Sequence, residues 1–137
     1  MAKDKFHELV REALQNEGWT ITDDPFTLRL ADKKMVADLG AERLIAAERD
    51  MERIVVEVKS FLSPSAFYEL HEAVGQFGNY RRILKLAEEN RTLFLAMPED
   101  VFNILFNDAF GSLTIQEEHL RFILFQPDTK NIIRWIK

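Results

Sequence analysis

The stretch Arg53-Ile54-Val55-Val56-Glu57-Val58-Lys59-Ser60-Phe61 decides how this chain is read. Its run of β-branched residues makes it the clearest strand in the sequence. Side chains alternate along a strand, so Ile54, Val56, Val58 and Ser60 face one way and Val55, Glu57, Lys59 and Phe61 the other. The first set is a core face. The second places two charges between two apolar residues, which is neither a clean solvent face nor a clean core face. Glu57 and Lys59 lie about 7 Å apart on that face, a separation that suits one metal ligand beside one phosphate contact. The plain alternative is a half-exposed strand with an adjacent ion pair, because Glu-x-Lys is a common tripeptide.

Asp38 precedes Glu57 by 19 residues and ends the apolar run Met35-Val36-Ala37, just before Leu39-Gly40. A strand tip there presents a carboxylate into a cleft; a turn aspartate is the other reading. Two carboxylates and a lysine that converge can hold a divalent cation, activate a water and steady an oxyanion. Downstream, Gln76 and Tyr80 stand one helical turn apart and share a face. Gly75 and Gly78 flank Gln76, and each costs about 1 kcal/mol relative to alanine inside a helix. Two such residues imply close approach of the sheet or of a ligand, or else plain packing. Arg81, Arg82 and Lys85 follow. They can receive phosphates flanking the metal site, or they sit where cations favour the C-terminal half of a helix. His7, His71 and His119 show no metal-ligand spacing and read as surface or boundary residues. There is no phosphate-cradling glycine loop, no Gly-x-Ser-x-Gly and no zinc pattern.

Working outward, residues 4–17 read as a helix capped by Asp4, with Phe6, Leu9, Val10, Ala13 and Leu14 as one apolar stripe and Gly18 as its stop. Short strands follow over 19–22, 26–30 and 35–39, the last two joined by a turn at 31–34, and residues 42–48 extend the ribbon to a turn at 49–52. Ser63 and Pro64 open a long helix to about residue 90. A strand over 91–97, a helix over 99–109, a short helix over 112–118 and a hairpin of 120–126 with 131–136 complete the chain. The order αββββαβαββ gives an α/β fold with a mixed central sheet flanked by helices.

At 137 residues the chain is expected to form a single domain, 1–137. Its 47% hydrophobic and 30% charged residues are those of an ordinary globular chain. No apolar run approaches a membrane span, and the N-terminus lacks the apolar stretch of a signal peptide, so the expected location is cytoplasmic. The absence of cysteine excludes disulfides and thiol catalysis. A net charge of −5 argues against bulk coating of nucleic acid, while leaving room for local DNA contact and for a protein partner. The aromatic C-terminal hairpin (Phe122, Phe125, Trp135) is either core or part of a homodimer interface.

Asp38 followed by Glu57-x-Lys59 is similar to the core of the PD-(D/E)XK nucleases, with Ala37 where the superfamily's name has proline. Gln76-x-x-x-Tyr80 resembles the third motif of RecB-like nucleases, with Phe77 where those have leucine. Over essentially its full length the chain resembles the XisH family of cyanobacterial excision-control proteins. The matching stretches are Lys5-Phe6-His7, Gly18-Trp19-Thr20-Ile21-Thr22, Asp38-Leu39-Gly40-Ala41-Glu42, Glu57-Val58-Lys59-Ser60-Phe61, Gly75-Gln76-Phe77, Asn79-Tyr80 and Ile133-Arg134-Trp135-Ile136. The resemblance implies a restriction-endonuclease-like fold and a role in excising the fdxN element, which interrupts a nitrogen-fixation gene. A separate site-specific recombinase performs the strand exchange, and a partner called XisI acts beside the XisH-type protein. By the same resemblance, Asp38 and Glu57 bind Mg²⁺ or Mn²⁺ with the Val58 carbonyl as a further ligand. Lys59 positions water or stabilises the transition state, Gln76 and Tyr80 line the site, and Glu8 or Glu12 adds an acidic group from the first helix. Three expectations follow: a metal-dependent nuclease, a non-catalytic DNA- or protein-binding accessory factor on a nuclease fold, or a nuclease held in check by its partner.

Overall fold

The computed structural model describes residues 3–44, 51–61 and 65–137. In chain order these form α1 (His7–Asn16), β1 (Thr20–Asp23), β2 (Phe26–Leu30), β3 (Lys33–Ala37), β4 (Leu39–Leu44) and β5 (Met51–Val58). Then come α2 (Ala66–Leu86), β6 (Thr92–Pro98), α3 (Glu99–Phe106), α4 (Ala109–Glu118), β7 (Phe122–Gln126) and β8 (Asn131–Ile136). Six strands make one sheet in the order β1-β4-β5-β6-β7-β8, and β2 with β3 forms a separate two-stranded ribbon. The pairs β5–β6 and β6–β7 are parallel, and the remaining pairs are antiparallel. The expected mixed α/β sheet flanked by helices is the observed architecture.

The central strands are covered on both sides, which is why they read as unbroken apolar runs. Ile54, Val56, Val58, Phe94 and Ile123 pack on the face covered by α1 through Val10 and Leu14. Val55, Leu93, Leu95, Phe122 and Leu124 pack on the other face, against α2 (Leu70, Ala73, Phe77), α3 (Phe102, Phe106) and the ribbon (Phe26, Met35). The alternation read from residues 53–61 is therefore real, but both faces of that strand are core. Phe122 and Phe125 are fully buried within the chain, and Trp135 stacks on Trp19 at 5.6 Å. The hairpin aromatics thus belong to this chain's own packing and give no argument for a dimer.

Several boundaries differ from the expectation for identifiable reasons. Met51 and Glu52, read as a turn, belong to β5, because β5 pairs antiparallel with β4 out to Leu44↔Met51. β4 is a strand in its own right rather than a continuation of the ribbon. The segment 112–118 is part of a full helix starting at Asp108, whose side chain accepts from the Gly111 amide at 2.7 Å. The expected ribbon residues 45–48, the turn residues 49 and 50, and the helix start at Ser63 and Pro64 lie outside the described residues. Helix α1 stops as expected: Gly18 takes φ +92°, and the amides of Gly18 and Trp19 return to the carbonyls of Gln15 and Leu14. Among the described residues no helix is long and apolar enough to cross a membrane.

Gly75 does not mark a close approach. It sits on the exposed side of α2, and a Cβ there would meet nothing within 4 Å. Gly75→Ala is therefore expected to stabilise the fold by about 1 kcal/mol, read as a higher midpoint in urea with an unchanged slope. At Gly78 a Cβ would touch only the flexible Arg82 side chain at 3.5 Å, an ordinary contact.

Candidate functional site

Sheet register brings the two carboxylates together. Leu39 pairs with Val56 across β4 and β5, and continuing the ladder by one residue sets Asp38 opposite Glu57. The Asp38 Oδ2 accepts the Val58 amide at 2.7 Å, which fixes its carboxylate at the end of β5. Glu57 is only 9% exposed. Burial, then a hydrogen bond donated to Asp38 and the negative charge of Asp38, push the Glu57 carboxyl up to about 9, with Lys59 partly opposing them. Glu57 is thus protonated at neutral pH and shares its proton with Asp38.

A cavity of about 360 Å³ opens at this point. Asp38, Glu57, Val58, Lys59, Gln76 and Tyr80 all line it. The six residues singled out in the sequence therefore meet at one place. The Tyr80 hydroxyl donates to the Val36 carbonyl at 3.0 Å and accepts from Gln76 Nε2 at 3.2 Å. Burial and the nearby Glu57 raise the Tyr80 phenol above its ordinary range, so it stays protonated and acts as a donor. This bond also pins the β2–β3 ribbon to α2, and with it the strand end that carries Asp38.

The first helix contributes a residue that the sequence reading passed over. Glu8 is exposed and pairs with Lys3 at 3.4 Å, and neither Glu8 nor Glu12 lines the cavity. His7 lines it instead and is 2% exposed, so its reading as a boundary residue is corrected. Its position is a signal in hindsight, since a histidine three residues before Val10 and seven before Leu14 lies on the buried stripe of the helix. His7 Nε2 meets Asp24 Oδ1 at 2.8 Å. Burial alone would raise the Asp24 carboxyl, but the hydrogen bond from Arg11 and the charge of His7 outweigh it and hold it low. Asp24 is therefore an acceptor and His7 Nε2 the donor. That leaves His7 Nδ1 buried without a hydrogen-bond partner, 3.5 Å from Asp38 Oδ1.

Asp4 ties these parts together. Its Oδ1 accepts the Phe6 amide and its Oδ2 the Ser60 amide, both at 2.9 Å, so the start of α1 is fastened to the chain just past Lys59. His7, Glu8 and Asp24 also bring ligand atoms within 4.8 Å of one another. The Asp24 oxygens there are already taken by His7 and Arg11, Glu8 is paired with Lys3, and of the three His7 is the one that reaches Asp38. Arg81, Arg82 and Lys85 do not flank the cavity: Arg82 is exposed and bonds Asn79 at 3.1 Å, and Arg81 and Lys85 line a different recess.

The family described as "XisH protein" matches residues 1–133 of this chain. An XisH family protein from Nostoc punctiforme PCC 73102 is 37% identical, with a TM-score of 0.86 over 98% of this chain and 100% of that one. A fdxN element excision controlling factor protein from Anabaena variabilis is 38% identical, with a TM-score of 0.87 and the same coverage. Comparison with curated proteins gives no match.

Proposed function

Because this chain belongs to the XisH family, we propose that it serves the excision of a DNA element as a divalent-metal-dependent phosphodiesterase on a restriction-endonuclease-like fold. Asp38 and Glu57 are its carboxylate ligands and Lys59 its phosphate contact. One observation carries the reading: Asp38 from the β3–β4 junction converges on one cavity with Glu57 and Lys59 from the end of β5, and the acids are close enough that Glu57 is held neutral. A buried carboxyl in contact with a half-buried one resists double ionisation, and a bound cation relieves that cost.

The donor set fits such an ion. Asp38 and Glu57 offer oxygens, Val58 lines the same cavity, and His7 Nδ1 is buried without a hydrogen-bond partner 3.5 Å from Asp38 Oδ1. Its opposite nitrogen is held by Asp24, the arrangement that fixes the tautomer of a ligating histidine. Oxygen donors suit Mg²⁺ and Mn²⁺ alike, whereas an imidazole nitrogen tilts the preference toward Mn²⁺. When bound, the ion polarises a phosphoryl oxygen and lowers the pKa of a water. The chain's own residues do the remaining work. Lys59 offsets charge that builds on the phosphate, Tyr80 and Gln76 hold one wall rigid, and Asp4 keeps the wall carrying His7 in place.

Calorimetric titration with Mn²⁺ and Mg²⁺, alongside nicking of supercoiled DNA, tests this. The parent chain is expected to bind and nick, Asp38→Ala to do neither, and His7→Ala to lose more Mn²⁺ affinity than Mg²⁺ affinity. A second reading is favoured by the chain's net charge of −5 and by a cavity whose only lysines or arginines among the described residues are Lys3 and Lys59. On that reading the protein is an accessory factor that meets DNA with an XisI-type partner and does not cleave. Absence of both metal binding and nicking in the parent would select it.

A further inference from the structure

At the far end of the parallel strands lies a second cavity of about 190 Å³, between the last turns of α2 and the starts of β6 and β7. Ile54 pairs with Thr92 and Val58 with Ala96, so about 13 Å of strand separates it from the Asp38–Glu57 cavity. Its walls carry four cations, Arg81, Lys85, Arg91 and Arg121, and a single carboxylate, Glu89. Arg91 is committed: it pairs with Glu89 at 3.2 Å and Asp23 at 3.6 Å and donates to the Ile54 carbonyl at 3.1 Å. That contact also engages the only carboxylate in the wall.

Among the described residues the side chains of Arg81, Lys85 and Arg121 have no hydrogen-bond or ion-pair partner, and Arg81 Nε is fully buried in that state. The chain holds 23 acidic residues against 18 lysines and arginines, so acids are not scarce. Three unpaired cations around one recess repel one another, and a buried guanidinium N–H without an acceptor costs free energy. An anion that enters the recess relieves that repulsion and gives the cations an acceptor.

We propose that this recess binds a phosphate monoester group, carried by a nucleotide or by the end of a nucleic-acid strand. Two guanidinium forks and an ammonium match the several oxygens and double charge of a terminal phosphate better than the single charge of a carboxylate. The recess, walled by the last turns of α2 and the starts of β6 and β7, favours a protruding end group over the backbone of a duplex, whose phosphates are met by cations on an open surface. The inference is independent of the metal site and stands whether or not that site turns over.

The test is calorimetry and thermal shift at constant ionic strength in chloride. The probes are inorganic phosphate, thymidine 5′-monophosphate, and one single-stranded oligonucleotide with either a 5′-phosphate or a 5′-hydroxyl. Saturable binding is expected, weakened about tenfold or more in Arg121→Gln and Lys85→Gln, since each removes a charge-assisted bond. Arg82→Gln, which makes the same charge change outside the recess, is expected to bind as the parent does. Without phosphate, Lys85→Gln and Arg121→Gln are expected to melt no lower than the parent, because they relieve repulsion. Lys85 is exposed, so its variant is not expected to compromise folding. Binding of phosphate and the mononucleotide by themselves assigns the site to small phosphates; binding only of the 5′-phosphorylated strand assigns it to strand ends. No binding to any probe, or equal binding by the parent, Arg121→Gln and Lys85→Gln, overturns the proposal.

Discussion

Replacing Lys59 with alanine is expected to lower metal-dependent nicking by about 10²–10³-fold while leaving Mn²⁺ affinity within a few-fold of the parent, the usual cost of removing one charge-stabilising group. Lys59 leaves β5 with its amide bonded to the Ala96 carbonyl at 2.9 Å, so its backbone is fixed to the neighbouring strand. It lines the same cavity as Glu57, and its positive charge opposes the rise of the Glu57 carboxyl. A group that is positioned but not ligating affects turnover rather than binding. Plasmid nicking and calorimetry on the same preparation separate the two. Undiminished nicking would take the role away from this lysine, and lost affinity would make it a structural counter-ion of the carboxylates.

Glu57→Gln is expected to have two opposite effects. The Glu57 carboxyl titrates near 4.5 in the unfolded chain and is raised to about 9 in the fold. Between those values the native chain holds a proton that the unfolded chain has lost. Stability therefore falls as pH rises through that window, and the penalty is absent below the lower value and complete above the upper one. Glutamine keeps the shape and can donate to Asp38 without ionising. In metal-free buffer the variant should be more stable than the parent by about 2–3 kcal/mol near pH 7, with a flatter dependence on pH. Urea unfolding at several pH values checks this; an unchanged slope would mean that another group carries it. The same substitution removes a ligand, so nicking is expected to vanish. A protein that gains stability by losing its proposed site has that site built at the expense of the fold.

What the sequence revealed and what it hid divide along physical lines. The alternation of residues 53–61 and the hairpin strand β8 were legible because they depend on local periodicity. The convergence of Asp38 with Glu57 was legible as spacing, while its cause, the β4–β5 register, required a strand that had been merged with its neighbours. His7 is not legible from spacing along the chain, because its partners Asp24 and Asp38 lie 17 and 31 residues away. Gly75 was misread because a glycine in a helix announces its cost but not its surroundings. That Arg81 and Lys85 lie at the opposite end of the sheet from the Asp38–Glu57 cavity is not legible, since helix periodicity gives the face and not which end of the sheet a turn overlies.

The residues lining the Asp38–Glu57 cavity belong to the first 80 of the chain, yet they are held by a strand that comes later, β6. Parallel pairing of β5 with β6 must wait until α2 and the strand beyond it have been made and folded back across the sheet. Closing such a long loop is slow compared with forming a local hairpin. A growing chain on the ribosome therefore displays all the chemistry-bearing side chains before it can gather them. On the proposed function, the cavity can act on a phosphodiester only once that scaffold is complete.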